Sequence, residues 1–199
     1  MDSRPARDAE LDAVTGVIAL AFASDPIWGP ALQGAGGRTD HLRPYWGLFV
    51  EGAHRFGTVR VAPDLAAVSV WLPPGGAELD DEGVRAFGAL VESALDPEVL
   101  GDLLALFERF EASRAPLSDH AYLSLLATDP DHRGRGVGQQ LLAACLSEWD
   151  ALGVPAYLES TNPANDHRYA RAGFQPIGGF DAVRNDARVT AMWRNVGGT

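Results

Sequence analysis

One ten-residue segment constrains this chain more than any other: Asp129-Pro130-Asp131-His132-Arg133-Gly134-Arg135-Gly136-Val137-Gly138. It follows His120-Ala121-Tyr122-Leu123-Ser124-Leu125-Leu126-Ala127-Thr128, which reads as a strand. It precedes residues 139–152, where Leu141, Leu142, Cys145, Leu146, Trp149 and Leu152 form a helical stripe. Three glycines at alternate positions free the backbone for unusual dihedrals and remove side-chain bulk. A helix starting just afterwards offers unpaired N–H groups and the positive end of its dipole. Strand, turn and helix N-terminus together make a phosphate cradle, to which Arg133 and Arg135 add charge. Glycines alone would mark only a connecting turn.

Missing residues narrow the ligand. All 16 basic side chains among the 199 residues are Arg. Without Lys there is no P-loop lysine, no lysine Schiff base, no pyridoxal-phosphate lysine and no Ser-x-x-Lys nucleophile. A dinucleotide fingerprint needs Gly-x-Gly-x-x-Gly. Its sixth position is Gln139 counted from Gly134, and Leu141 counted from Gly136, so both frames fail. The single cysteine, Cys145, allows no internal disulfide and sits within the helical stripe, where a core thiol is expected.

The remaining chain reads as alternating helices and strands. Residues 9–22 predict a helix capped by Asp8 and broken at Asp25-Pro26, and residues 39–54 a second. Residues 58–62 and 66–72 read as an antiparallel hairpin. An acidic helical insert follows at about residues 78–114, with Pro97 starting its second helix and Pro116 ending the region. Residues 156–160 predict a strand, 166–172 a short helix, and 174–177 and 189–193 the last two strands. The length suits a single domain over residues 1–199. The N-terminal residues lack the apolar core of a signal peptide, and no apolar run approaches the ~18 residues of a membrane span. A cytoplasmic protein that does not enter membranes is the expectation.

The formal net charge is -11, and it is uneven. Residues 1–59 carry -2, residues 60–131 carry -10 and residues 132–199 carry +1. This balance argues against nucleic-acid or anionic-membrane binding and favours cationic or neutral partners. The final third suits an anionic ligand. The acidic middle, including Glu78, Asp80, Asp81 and Glu82, is a candidate for steering a cation.

Arg133-Gly134-Arg135-Gly136-Val137-Gly138 resembles the Arg/Gln-x-x-Gly-x-Gly/Ala pyrophosphate loop of the GNAT superfamily of N-acetyltransferases. Tyr157-Leu158-Glu159-Ser160-Thr161-Asn162-Pro163-Ala164-Asn165 and Tyr169-Ala170-Arg171-Ala172-Gly173-Phe174 resemble that family's following strand and helix. Val70-Trp71-Leu72-Pro73-Pro74 and Gly153-Val154-Pro155-Ala156-Tyr157-Leu158-Glu159 are similar to its puromycin N-acetyltransferase branch. The specific likeness covers about residues 120–178. It implies an α/β (α+β) fold with a mixed, mostly antiparallel central sheet flanked by helices, and a cofactor cleft between two splayed parallel strands. It also implies acetyl-CoA as co-substrate, no metal, a small and cationic primary amine as acceptor, and a monomer or homodimer. A non-catalytic acyl-CoA sensor and a peptide N-terminal acetyltransferase are the alternatives.

Residue roles follow from the same resemblance. The backbone of Leu126, Ala127 and Thr128 would pair with the pantetheine arm. The N–H groups of Arg133, Gly134, Arg135, Gly136, Val137 and Gly138, with Gln139 beside them, would hold the pyrophosphate. Asn165 would contact pantetheine, and Tyr169 would be the acid for the departing thiolate. An ordinary thiol titrates at ~8.5 and Tyr at ~10, so full transfer is uphill by ~2 kcal/mol. Glu159 sits mid-strand, where a carboxylate is costly unless used or paired. It is a candidate base or substrate anchor, with a salt bridge to an Arg as the structural alternative. His120 is the second candidate base and Asp119 a weaker one. Trp71, Tyr122 and Trp46 are candidates for an aromatic acceptor wall, or for the core.

Overall fold

The computed structural model describes residues 3–114 and 117–198. Pro116, the expected break after the insert, lies outside the described residues. Among the described residues, seven strands form one sheet: β1 (Arg4–Pro5), β2 (Val59–Val61), β3 (Ala67–Leu72), β4 (Ala121–Thr128), β5 (Ala156–Ser160), β6 (Gln175–Asp181) and β7 (Arg188–Arg194). Their spatial order is β1-β2-β3-β4-β5-β7-β6. Every neighbouring pair is antiparallel except β4 and β5, which are parallel. This is the mixed, mostly antiparallel sheet that the resemblance implies.

Helices cover both faces. The longer ones are α1 (Leu11–Phe22), α3 (Leu42–His54), α4 (Asp81–Ala94), α5 (Pro97–Arg114) and α6 (Val137–Ala151), with two short ones, α2 (Trp28–Ala31) and α7 (Asp166–Arg171). Period-two alternation in β3 decides what each face holds. Val68, Val70 and Leu72 join the cluster formed with α1, α3, α4 and α5. Ala67 and Trp71 join the opposite cluster with Leu141, Leu142, Cys145 and Leu146 of α6. Cys145 is 2% exposed, and burial raises its thiol pKa, as a core thiol requires. Among the described residues, no helix is long and apolar enough to cross a membrane.

The helix starts differ in part from expectation. Asp8 is not the cap of α1. A short turn at Asp8–Glu10 precedes that helix, and the Glu10 carboxylate accepts from the Arg7 N–H at 2.9 Å. Asp80 caps α4, accepting from the Gly83 N–H at 2.8 Å. That acid therefore has a structural role as well, while its exposed carboxylate keeps its charge within the acidic stretch. α5 begins at Pro97, whose fixed φ suits a first helical turn.

Two features of β4 position the site. Its register with β5 contains only Ala121↔Ala156 and Tyr122↔Tyr157, after which the strands part. Its register with β3 shifts between Val70↔Leu125 and Trp71↔Leu123, leaving Ser124 as a bulge residue. The Ser124 hydroxyl donates to Glu78 Oε1 at 2.7 Å.

Candidate active site

The parted strands open a cleft of about 650 Å³. β4 supplies Leu126, Ala127 and Thr128 to one wall. Glu159 of β5 and Tyr169 of α7 stand in the other, and the loop before α6 closes one end. Past Tyr122 the β4 backbone pairs with β3 on one edge and has no β5 ladder on the other.

The loop has the backbone that its glycines permit. Gly134 and Gly136 have φ of +76° and +75°, in the left-handed region that disfavours side chains. Asp129 builds the preceding turn, accepting from the Asp131 N–H at 2.9 Å and bonding His132 Nδ1 at 3.0 Å. At Gly138 a Cβ would stand 2.5 Å from Thr128 Oγ1, so the first turn of α6 lies directly against the Thr128 hydroxyl. Among the described residues, none of the N–H groups of residues 134–139 donates to a backbone carbonyl. These unpaired donors and a 15-residue helix starting at Val137 suit a pyrophosphate.

Most of the expected residues meet here. Arg133, Gly134, Gly136, Val137, Gly138, Gln139, Asn165, Tyr122 and Glu159 all line the cleft with those named above. Two do not. Arg135 is exposed and lies outside the lining. Trp71 is 1% exposed on the α6 face, where its Nε1 donates to Ser69 Oγ at 3.2 Å and its ring meets Trp149 at 6.1 Å. It cannot wall an acceptor, because strand alternation turns it away from the face that carries Tyr122. Trp46 is a core residue, edge-on to Trp28 and Tyr45. His120 and Asp119 line a different cavity, described below.

Glu159 is the chemically distinctive group. Its side chain is 1% exposed. Oε1 accepts from the Tyr157 hydroxyl at 2.8 Å and faces Arg114 Nε at 3.9 Å. Oε2 is buried with no hydrogen-bond partner among the described residues. Burial pushes the carboxyl up to about 7, against the opposing pull of Arg114 and of the Tyr157 and Tyr122 hydroxyls. The expected alternative, an arginine partner, is therefore present without dominating.

Arg114 organises the surrounding charges. Its guanidinium lies 4.6 Å over the Tyr122 ring, 2.7 Å from Glu111 and 3.5 Å from Glu78. Tyr169 packs edge-on to Phe174, and burial together with the Asp25 and Asp166 carboxylates pushes its hydroxyl up to about 12. Asp25 was visible in the sequence only as a helix break. Oδ1 accepts the N–H groups of Ile27 and Trp28 at 2.9 and 3.0 Å, and Oδ2 accepts from Thr161 at 2.8 Å. It thereby ties the end of β5 to α2. An Asp ahead of Pro-Ile-Trp, a helix-starting signature, was the available signal.

Comparison with known proteins agrees with this geometry. Residues 82–176 match a family profile described as an acetyltransferase (GNAT) domain. That match covers 95 of the 199 residues, just under half of the chain. A mycothiol acetyltransferase from Propionibacterium freudenreichii subsp. shermanii is 43% identical over 56 residues, which are 27% of this chain and 18% of that protein. The match thus spans under a fifth of that relative. Among solved structures, a histone acetyltransferase HPA2 and related acetyltransferase from Corynebacterium glutamicum superposes with a TM-score of 0.71 at 25% identity, covering 98% of this chain and 96% of that one. A Drosophila melanogaster polyamine N-acetyltransferase shares the fold, with a TM-score of 0.67 at 15% identity, covering 98% and 99%.

Proposed function

We propose that this chain is a GNAT N-acetyltransferase that transfers the acetyl group of acetyl-CoA to a primary amine of a small molecule, by direct attack with both substrates bound. The observation that carries the reading is Glu159: a buried carboxyl titrating near neutrality, one oxygen unpartnered, at the point where β4 and β5 part. Agmatine and polyamine N-acetyltransferases have the same fold, which is consistent with an amine acceptor.

Acetyl-CoA supplies an activated acyl group as a thioester. The N–H groups of residues 134–139 and Arg133 hold the pyrophosphate. The free edge of Leu126, Ala127 and Thr128 and the cleft-lining Asn165 receive the pantetheine arm. An amine attacks only when neutral, so Glu159 takes its proton; a base near 7 is matched to that task, whereas one at the ordinary ~4.3 is not. As the C–N bond forms and the C–S bond breaks, Tyr169 supplies a hydrogen bond or proton to the sulfur. With its hydroxyl at about 12, full transfer to a thiol of ~8.5 is uphill by roughly 5 kcal/mol, so Tyr169 acts mainly as a donor that stays protonated. A β4 backbone N–H faces the developing oxyanion. The similarity to the puromycin N-acetyltransferase branch rests on the motifs at residues 70–74 and 153–159.

The experiment is a pair of measurements. Acetyl-CoA should raise the Tm while NAD and ATP do not. An amine panel of aminonucleosides, aminoglycosides, polyamines and peptides should release CoA thiol. Absence of any acetyl-CoA shift sinks the reading. Binding without turnover of any amine favours the acyl-CoA sensor.

A further inference from the structure

Tyr122 also walls a second cavity, of about 630 Å³, under the α4–α5 insert. That volume lies within the ~300–1,000 Å³ range of small-molecule sites. Its lining is largely apolar. Phe49, Phe87 and Phe107 contribute to it, and Val84 of α4 and Leu104 of α5 line it at its open side, 56% and 49% exposed. Its charges include Glu78, Glu111 and Arg114, which pair with one another as described above. With Glu159 also on Arg114, several carboxylates surround one guanidinium and negative charge is in excess.

The cavity and the cleft are neighbours that share Tyr122 in their walls. A small void of about 20 Å³ shares Glu78, Arg114 and Tyr122 with the cavity, and Trp28, Phe110, Tyr122 and Ser124 with the cleft. Tyr45 lines this void and its buried hydroxyl has no hydrogen-bond partner among the described residues. A partnerless hydroxyl thus stands beside Glu78 on one side of Tyr122, and a partnerless carboxylate oxygen stands in the cleft on the other.

We propose that the cavity under the insert binds the acceptor, and that the acceptor is a primary amine on an uncharged apolar body, aryl or alkyl. The ammonium lies at the Glu78–Arg114 end, attracted by the excess carboxylate. The body lies among Phe49, Phe87 and Phe107. The nitrogen reaches Glu159 past Tyr122. A diamine of similar length has no apolar body to bury against the three rings, so it forgoes that part of the binding. This inference rests on the acetyltransferase reading for its chemistry, but the binding site can be tested separately.

The test is calorimetry of 2-phenylethylamine and putrescine with the CoA-saturated protein, using wild type, Leu104→Trp and Val84→Trp. Both substitutions sit at exposed positions and place an indole in the cavity. Phenylethylamine should bind the wild type at least tenfold more tightly than putrescine. Either Trp variant should weaken it at least tenfold, with the Kd of acetyl-CoA within twofold of wild type. Equal binding to wild type and variants, tighter binding of putrescine, or no binding of phenylethylamine overturns the proposal. A separate acetyl-CoA titration that shows no binding overturns the acetyltransferase reading and leaves the amine titration to judge the cavity.

Discussion

Arg114 Nε lies 3.9 Å from Glu159 Oε1, yet the carboxyl still titrates near 7, because burial outweighs that one cation. The pair thus holds Glu159 between a permanently ionised anchor and a neutral acid. Turnover is expected to fall as pH drops through about 7, since the base is then protonated. Replacing Arg114 with Met removes a lowering influence, so the acid limb of the kcat profile should move up by about one unit. A limb that stays in place would show that Arg114 does not tune the base.

Glu159→Gln should lower kcat by ~10²–10⁴-fold, the usual contribution of a general base, and abolish the limb near 7. The KM for acetyl-CoA should change little. Steady-state kinetics from pH 5.5 to 9 provide the check.

The same substitution should stabilise the fold. A carboxyl whose folded pKa is raised contributes a penalty that grows as pH rises from the unfolded value, ~4.3, through about 7. Urea denaturation of Glu159→Gln should therefore show a gain of about 2–4 kcal/mol at pH 8 and almost none at pH 4.

Gly138→Ala would bring a Cβ to 2.5 Å from Thr128 Oγ1, so either the Thr128 side chain or the start of α6 must shift. An affinity for acetyl-CoA reduced tenfold or more is expected by calorimetry, with a stability loss of about 1–3 kcal/mol from overpacking. Unchanged affinity would mean that this approach does not shape the pyrophosphate cradle. By contrast, Tyr169→Phe should cut kcat and leave acetyl-CoA binding nearly intact.

Far from the cleft, Arg194 grips Asp150 through two bonds of 2.7 and 2.8 Å and also donates to the Ala172 carbonyl at 2.9 Å. This joins β7, α6 and the end of α7. Arg194→Ala should cost about 1–3 kcal/mol by removing these charge-assisted bonds. The hydrogen bonds from Arg194 hold the Asp150 carboxyl below its usual range, so its stabilisation is present above ~pH 4 and is lost as pH falls through the lowered value. The stability difference between wild type and Asp150→Asn should accordingly shrink between pH 7 and pH 3.

The cradle was legible because backbone chemistry is written locally: Gly134, Gly136 and Gly138 serve a turn within ten residues of one another. Glu159 stood out as a carboxylate within an apolar strand. Trp71 was not legible, because all six residues of β3 are buried and its sequence shows no polar face to orient it. Arg114 and Asp25 were also missed as site residues. Their partners lie tens of residues away, at Glu159 and Thr161, and such encounters depend on how α5 and α2 pack. The cavity under the insert has the same origin: Val84 and Leu104 read as ordinary helix positions until two helices set them side by side.

The parting of β4 from β5 has a consequence for self-association. A strand edge with unpaired backbone groups normally templates other chains and invites aggregation. Here that edge is placed in the middle of a seven-stranded sheet, between walls that include Phe22 of α1 and Tyr169 of α7. A neighbouring protein's strand, with side chains on both faces, would meet those walls before it reached the edge. The unpaired edge is thus kept away from the rim of the sheet, where another chain could extend it.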